Sequence, residues 1–199
     1  MGRLTNTDAM DALVRAAQQD NRAAFRQLYE RYKQRVFRTA NRLLNDQGWA
    51  EDVTQEVFMT VYQQLSTFDF RSSFKTWCYR ITVNASYDAM RKQKRRARYQ
   101  AEDVDLHDSD TNLQAPAFTQ PDQAAHRSEV QHGVEHALQS LSPKLRATFV
   151  LREVEGLSYD EIASVMGCLP GTVSSRITRA RQQLAAVLRD AGIDETYFE

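Results

Sequence analysis

Between Ser66 and Arg98, aromatic rings are interleaved with cations and an amide: Phe68, Phe70, Phe74, Trp77, Tyr79 and Tyr87 among Arg71, Lys75, Arg80, Asn84, Arg91 and Lys92. Rings stack on unpaired bases and cations are drawn to phosphates, so the segment suits unpaired nucleic acid. Each ring also has a plainer use. Phe74 and Trp77 fall on an apolar helical face and are expected in a core. Phe68 and Phe70 fall in a loop and are the fairer candidates for base contact. Arg91, Lys92, Lys94, Arg95, Arg96 and Arg98 follow, six cations in eight residues. Their mutual repulsion favours an anionic partner over a merely solvated helix end.

A second constellation runs from Ser158 to Arg181. Ser158 with Glu161 is a capping-box signature opening a short helix. Gly167 closes that helix, and the turn Cys168-Leu169-Pro170 leads into a longer one. Two helices across a tight turn match a helix-turn-helix, whose second helix enters the major groove. Val173 and Ile177 can face inward at a four-residue step, leaving Thr172, Ser174, Ser175, Arg176 and Arg179 for the groove. Hydroxyls and N-terminal amides suit phosphates, and arginine suits phosphates or guanine edges. A helical hairpin with solvated arginines is the bland alternative.

Asp52, Gln55 and Glu56 form a polar helical face opposite a valine stripe; by itself this is a solvated face. His132 and His136 stand at i and i+4, but no carboxylate or cysteine cluster completes a metal site. No glycine-rich phosphate loop is present. No catalytic residue, metal or cofactor is expected.

These residues need helices to hold them. Apolar residues recur at three- and four-residue steps from Phe25 to Leu44, and again from Trp49 to about Leu65 through Val53, Val57 and Val61. They recur once more from Ser73 onward through Phe74, Trp77, Cys78, Ile81 and Ala85. A short helix around Asp8 to Gln19 packs on this bundle. From 98 to 123 the pattern stops: Glu102, Asp103, Asp105, Asp108 and Asp110, with Pro116 and Pro121, read as a flexible acidic linker. Helices resume over 124–139 and after Ser142-Pro143, an N-cap with Pro at the first helical position. That helix carries Leu145, Phe149, Val150 and Val154, and Gly156 ends it. The expected fold is all-α: an N-terminal helical bundle over 1–97, the linker over 98–123, and a helix-turn-helix domain over 124–199.

Composition agrees with a soluble globular chain. Twenty-six basic and 26 acidic residues cancel among 199, so the local blocks carry the electrostatics rather than the total. Two distant cysteines, Cys78 and Cys168, suggest a reducing compartment. No apolar run approaches the roughly 20 residues that span a bilayer, and the N-terminus lacks a signal-peptide core. A cytoplasmic protein without membrane insertion is expected.

The stretches WAEDVTQEVFMTVYQQLSTF, FKTWCYRITVNASYDAMRKQKRR, LSPKLRATFVLREVEGLSYDEIASVMG and GTVSSRITRARQQL resemble the extracytoplasmic-function (group four) sigma factors of bacterial RNA polymerase. The resemblance covers most of the chain. It implies a region-two domain over 1–97 and a region-four domain over 124–199. Asp52, Gln55 and Glu56 fall on positions that dock on the clamp helices of the polymerase largest subunit. Thr67, Phe68, Asp69, Phe70, Arg71, Ser72, Lys75, Arg80, Asn84, Tyr87 and Arg91 would read the melted non-template strand at the minus-ten element, with one base flipped out and held. Tyr159, Thr172, Ser174, Ser175, Arg176 and Arg179 would read duplex DNA at the minus-thirty-five element. The partners implied are core polymerase, promoter DNA and an anti-sigma factor, and the implied role is initiation at a promoter subset serving a stress response. Two departures matter: Ser174 stands where many relatives carry Arg or Lys, and Pro170 sits one residue later than usual, so promoter preference cannot be copied. A conventional helix-turn-helix regulator explains the second half equally well but leaves the aromatic and basic segment without a purpose.

Overall fold

The computed structural model describes residues 6–103 and 133–191. Four helices build the first half: α1 (Asn6–Gln18), α2 (Arg22–Leu44), α3 (Gln47–Gln64) and α4 (Phe74–Asp103), with a single 3₁₀ turn at Leu65–Thr67. The second half comprises α5 (133–140), α6 (Pro143–Phe149), a π turn (Val150–Val154), α7 (Tyr159–Met166) and α8 (Pro170–Asp190). The described residues contain no strand.

Local chemistry sets the boundaries. Asn21 caps α2 by accepting the Ala24 amide at 3.1 Å, and Asp46 caps α3 by accepting that of Trp49 at 2.9 Å. Asn45 ends α2 in the left-handed region (φ 53°), which asparagine tolerates. Gly167 ends α7 at φ 59°, where a side chain would be strained. The capping box of α7 forms as expected: the Glu161 amide donates to Ser158 Oγ at 3.2 Å, and the Ser158 amide donates back to Glu161 Oε2 at 2.9 Å.

The valine stripe of α3 meets α2 and α4 in one core. Leu28, Val36, Ala40, Val53, Val57, Val61, Phe74, Trp77 and Cys78 are all buried there. On the second half Val173, Ile177, Ala180 and Leu184 of α8 turn inward.

Three expectations need correction. Helix α4 continues to Asp103 and so takes in the first six residues of the expected linker. Residues 98–103 contain neither Pro nor Gly, and Arg, Gln, Ala and Glu sustain a helix even without an apolar stripe. The helix after Pro143 does not run uniformly to Val154, because its last turn is π. The last helix begins at Pro170, with Leu169 as its N-cap, one residue earlier than expected. The remainder of the acidic stretch, the expected helix before 133, and His132 lie outside the described residues.

The two halves are also packed together, which no periodicity announced. Helix α4 has two apolar faces. Phe74, Trp77, Cys78 and Ala85 enter the first core, whereas Tyr79 and Val83 join Leu43 of α2 in a second. The rest of that second core comes from beyond the linker: Ala147, Val150, Leu151, Leu157, Ile162, Ala163, Val165, Val173 and Ile177. Arg146 reinforces the seam. It is 7% exposed, and its guanidinium donates to the carbonyls of Leu138 (2.8 Å), Gln139 (2.8 Å), Leu141 (3.1 Å) and, across the seam, Leu43 (2.6 Å).

Cys78 is wholly buried, and desolvation pushes its thiol up to about 12. The thiolate is the reactive form. A thiol-specific dye at pH 8 is therefore expected to leave Cys78 unlabelled in the folded chain and to label it only on denaturation. Modification of Cys78 at the same rate in both states would contradict this packing.

Candidate nucleic-acid interface

The loop after the 3₁₀ turn is held from behind. Gln18 of α1 donates its amide to the carbonyls of Leu65 (2.9 Å) and Phe68 (2.7 Å), clamping the loop to the bundle. Phe68 is 6% exposed and packs among Phe70, Phe74 and Trp77, with ring centroids 4.8–6.1 Å away. This corrects the expectation that Phe68 is a base-contacting ring: the loop is short enough for it to fold back into the core, where rings pack edge to face. Phe70 is half-buried at φ 61°, and the Arg15 guanidinium lies 4.0 Å from its ring centroid. Thr67, Asp69 and Arg71 remain exposed and Ser72 is half-exposed. The Arg71 amide, helped by its guanidinium, holds the Asp69 carboxyl below its usual value, so the loop presents a fixed anion beside a cation.

On α4, Arg80, Asn84, Tyr87 and Arg91 follow one another at four-, three- and four-residue steps and share a face. Arg80, Asn84 and Arg91 are exposed, as are the other five cations of the basic cluster. Lys75 is half-buried and donates to the Glu155 carbonyl at 2.8 Å. Tyr87 is half-buried at the seam. Burial pushes its phenol up to about 12 despite the opposing pull of the Arg176 and Arg146 charges.

On α3, Asp52, Gln55 and Glu56 are exposed together as expected. Sequence reasoning passed over their neighbours: Met59 is 63% and Tyr62 57% exposed on the same side of the helix. The spacing 52, 55, 56, 59, 62 could have revealed this. Two large apolar side chains beside a polar row make a face suited to a protein partner rather than to solvent.

In the second half, Ser174, Ser175 and Arg179 stand exposed on the first two to three turns of α8, and Thr172 is half-exposed. Ser175 Oγ donates to the Thr172 carbonyl at 3.0 Å, leaving its lone pairs outward. Arg176 is half-buried, with a guanidinium nitrogen 3.6 Å from the Cys168 sulfur. Tyr159 is 37% exposed, with Arg152 5.1 Å from its ring centroid. The arrangement offers hydroxyls and arginines at a helix N-terminus, which is the equipment for phosphate and base-edge contact. No group of three metal-ligating side chains occurs among the described residues.

Two sets of side chains are thus built on rigid helices in different halves, yet they meet at the seam. Cys168 and Tyr87 both pack on the second core, and the Arg176 charge acts on the Tyr87 phenol, which brings the start of α8 near the expected single-strand reader.

Comparisons with known proteins assign these two halves. Residues 28–96 match the model of sigma-70 region 2 and residues 132–184 that of sigma-70 region 4. The RNA polymerase sigma-H factor of Pseudomonas aeruginosa is 36% identical over 180 residues, covering 89% of this chain and 92% of its own. The ECF RNA polymerase sigma-E factor of Escherichia coli K12 is 36% identical over 175 residues, covering 86% and 90%. Among solved structures, CnrH in complex with the cytosolic domain of CnrY overlays with a TM-score of 0.69 at 27% identity, over 92% of this chain and 99% of that one. The sigma factor RpoE in complex with the anti-sigma factor NepR from Bartonella quintana gives 0.63 at 28% identity, over 83% and 96%. With two sigma-70 regions in order and relatives matched over nearly their whole length, the chain belongs to the extracytoplasmic-function sigma factors of RNA polymerase.

Proposed function

We propose a division of labour within this sigma factor, which serves promoter-specific initiation by RNA polymerase. The α3 face of Asp52, Gln55 and Glu56, widened by Met59 and Tyr62, docks on the clamp helices of the polymerase largest subunit. The loop residues Thr67, Asp69, Phe70, Arg71 and Ser72, together with Lys75, Arg80, Asn84, Tyr87 and Arg91, hold the melted non-template strand of the minus-ten element. Phe68 supports that loop from the core. Tyr159, Thr172, Ser174, Ser175, Arg176 and Arg179 read the duplex minus-thirty-five element. Region two comprises the first half and region four the second, joined by the acidic segment.

The observation that carries this reading is one chain with two distinct nucleic-acid surfaces: an aromatic-backed basic face suited to unpaired strand, and a helix-turn-helix suited to duplex. A conventional regulator needs only the second. The chain acts by binding and has no catalytic step of its own. It works in the cytoplasm, where polymerase and chromosome are; among the described residues no helix is long and apolar enough to cross a membrane. Its promoters form a stress-response subset, and an anti-sigma factor restrains it, as NepR and the cytosolic domain of CnrY occupy the solved relatives.

Run-off transcription with core polymerase and fragmented genomic DNA tests the reading. Discrete starts that require this chain and share a pair of upstream elements are expected. Tight duplex binding without polymerase, and no starts, would favour the conventional regulator. Reversing both charges in Asp52→Lys, Glu56→Lys is expected to weaken binding to core polymerase by about tenfold while leaving the helical signal unchanged; unchanged affinity would contradict the docking face. Arg176→Ala and Arg179→Ala should each cost about 1–3 kcal/mol in promoter binding, and a scrambled upstream element should abolish that sensitivity.

A further inference from the structure

Helix α1 grips the loop before α4 at two places. Gln18 lies at the end of α1 and is half-buried. Its side-chain nitrogen donates to the carbonyls of Leu65 at 2.9 Å and Phe68 at 2.7 Å, residues 47 and 50 positions away. The Phe68 amide donates to the same Leu65 carbonyl at 3.1 Å. The turn is therefore closed by its own bond and bridged from outside by Gln18.

Arg15 stands three residues before Gln18 and so shares its helix face. Its guanidinium lies 4.0 Å from the centroid of the Phe70 ring. Phe70 has φ 61°, a left-handed conformation that a bulky residue rarely adopts. Such a conformation persists only where its surroundings over-determine it. Here they are the Arg15 guanidinium and the Phe68 ring, 4.8 Å away between centroids. On either side of Phe70, Asp69 and Arg71 form an exposed ion pair. The Phe70 backbone thus decides where both charges point.

The core does not need this order. Phe68, Phe74 and Trp77 fill it, whereas Thr67, Asp69 and Arg71 are exposed. Fixed geometry in exposed side chains serves a ligand, since a site binds selectively only when its supporting shell locks it.

We infer, on the basis of the sigma-factor reading, that Arg15 and Gln18 are positioning residues of the minus-ten reader: they hold residues 67–72 in the shape that receives the extruded base, and so set how sharply that base is discriminated. Both act through the loop rather than on the strand. A loop already in its bound shape loses nothing to ordering, and only the correct base draws on that shape in full.

Full-length variants loaded on core polymerase test this. The probe is a fork-junction DNA from a start found by run-off, duplex upstream and single-stranded through the minus-ten element. The same fork with an abasic site at each unpaired position in turn locates the base that the chain reads. Arg15→Leu is expected to shrink the penalty for losing that base by about threefold, and Gln18→Leu by about tenfold. Core affinity and helical signal should stay unchanged. Arg15→Lys keeps a cation over the ring and should restore most of the discrimination. In a Phe70→Leu background, Arg15→Leu should have no further effect, because Arg15 acts through that ring. Unchanged discrimination in both leucine variants would overturn the proposal. So would equal losses on intact and abasic forks, which is what a merely structural role gives. A wild-type chain that binds no fork with core polymerase would instead defeat the sigma-factor reading, and this inference with it.

Discussion

A buried guanidinium needs partners, because desolvation is not repaid by Coulomb attraction unless hydrogen bonds satisfy the remaining donors. Arg146 meets that requirement in full only when the two halves are together, since one of its four acceptors lies across the seam. Arg146 ties three carbonyls at the junction of α5 and α6 and takes its fourth from Leu43, near the end of α2. A cation suits that place, since the last carbonyls of a helix carry partial negative charge. Glu155 reaches the other way, to two hydroxyls of the first half. Between them lies the apolar cluster of Leu43, Tyr79 and Val83 against Val150, Leu151, Leu157 and Ile162. The apolar contacts supply attraction without direction, and the two polar residues fix the orientation.

The functional surfaces inherit their order from this scaffold. The proposed single-strand reader is a short loop pinned by Gln18 and backed by Phe68, continuing into a helix whose base is anchored in the bundle. The proposed duplex reader starts on the turn after Gly167. The capping box there does double service: the carboxylate that closes the start of α7 also receives Thr76 from α4. Burial alone would raise the Glu161 carboxyl, yet hydrogen bonds from the Ser158 amide and hydroxyl and from Thr76 hold it below its usual value. Local helix chemistry and the contact between halves therefore share one side chain.

Much of this was legible in the residues. The stripes of α2 and α3, the Asp46 and Ser158 caps, the Gly167 stop and the inward Val173 and Ile177 all obey local rules, and local rules can be read without a partner. Phe68 was misjudged because a loop position says nothing of whether the chain folds back; only the neighbouring rings decide that. The seam was invisible for a related reason. Tyr79, Val83 and Tyr87 lie on α4 between residues of its other apolar face, and the polar residues around them disguise a second stripe. Glu155 was passed over because its role depends on a π turn, which shifts register by one residue and has no sequence rule of its own. Met59 and Tyr62 were readable in principle, since they continue the spacing of Asp52, Gln55 and Glu56 along the same helix face, but attention to the valine stripe passed over them.

The central claim is that one chain docks on core polymerase through α3 and meets promoter DNA through two separate surfaces. Amide hydrogen exchange followed by mass spectrometry, on the unmodified chain alone and bound to core polymerase, addresses it most directly. The account predicts that peptides of α3 around residues 52–62 exchange more slowly once core polymerase is bound. Equal exchange of 52–62 in both states would contradict it.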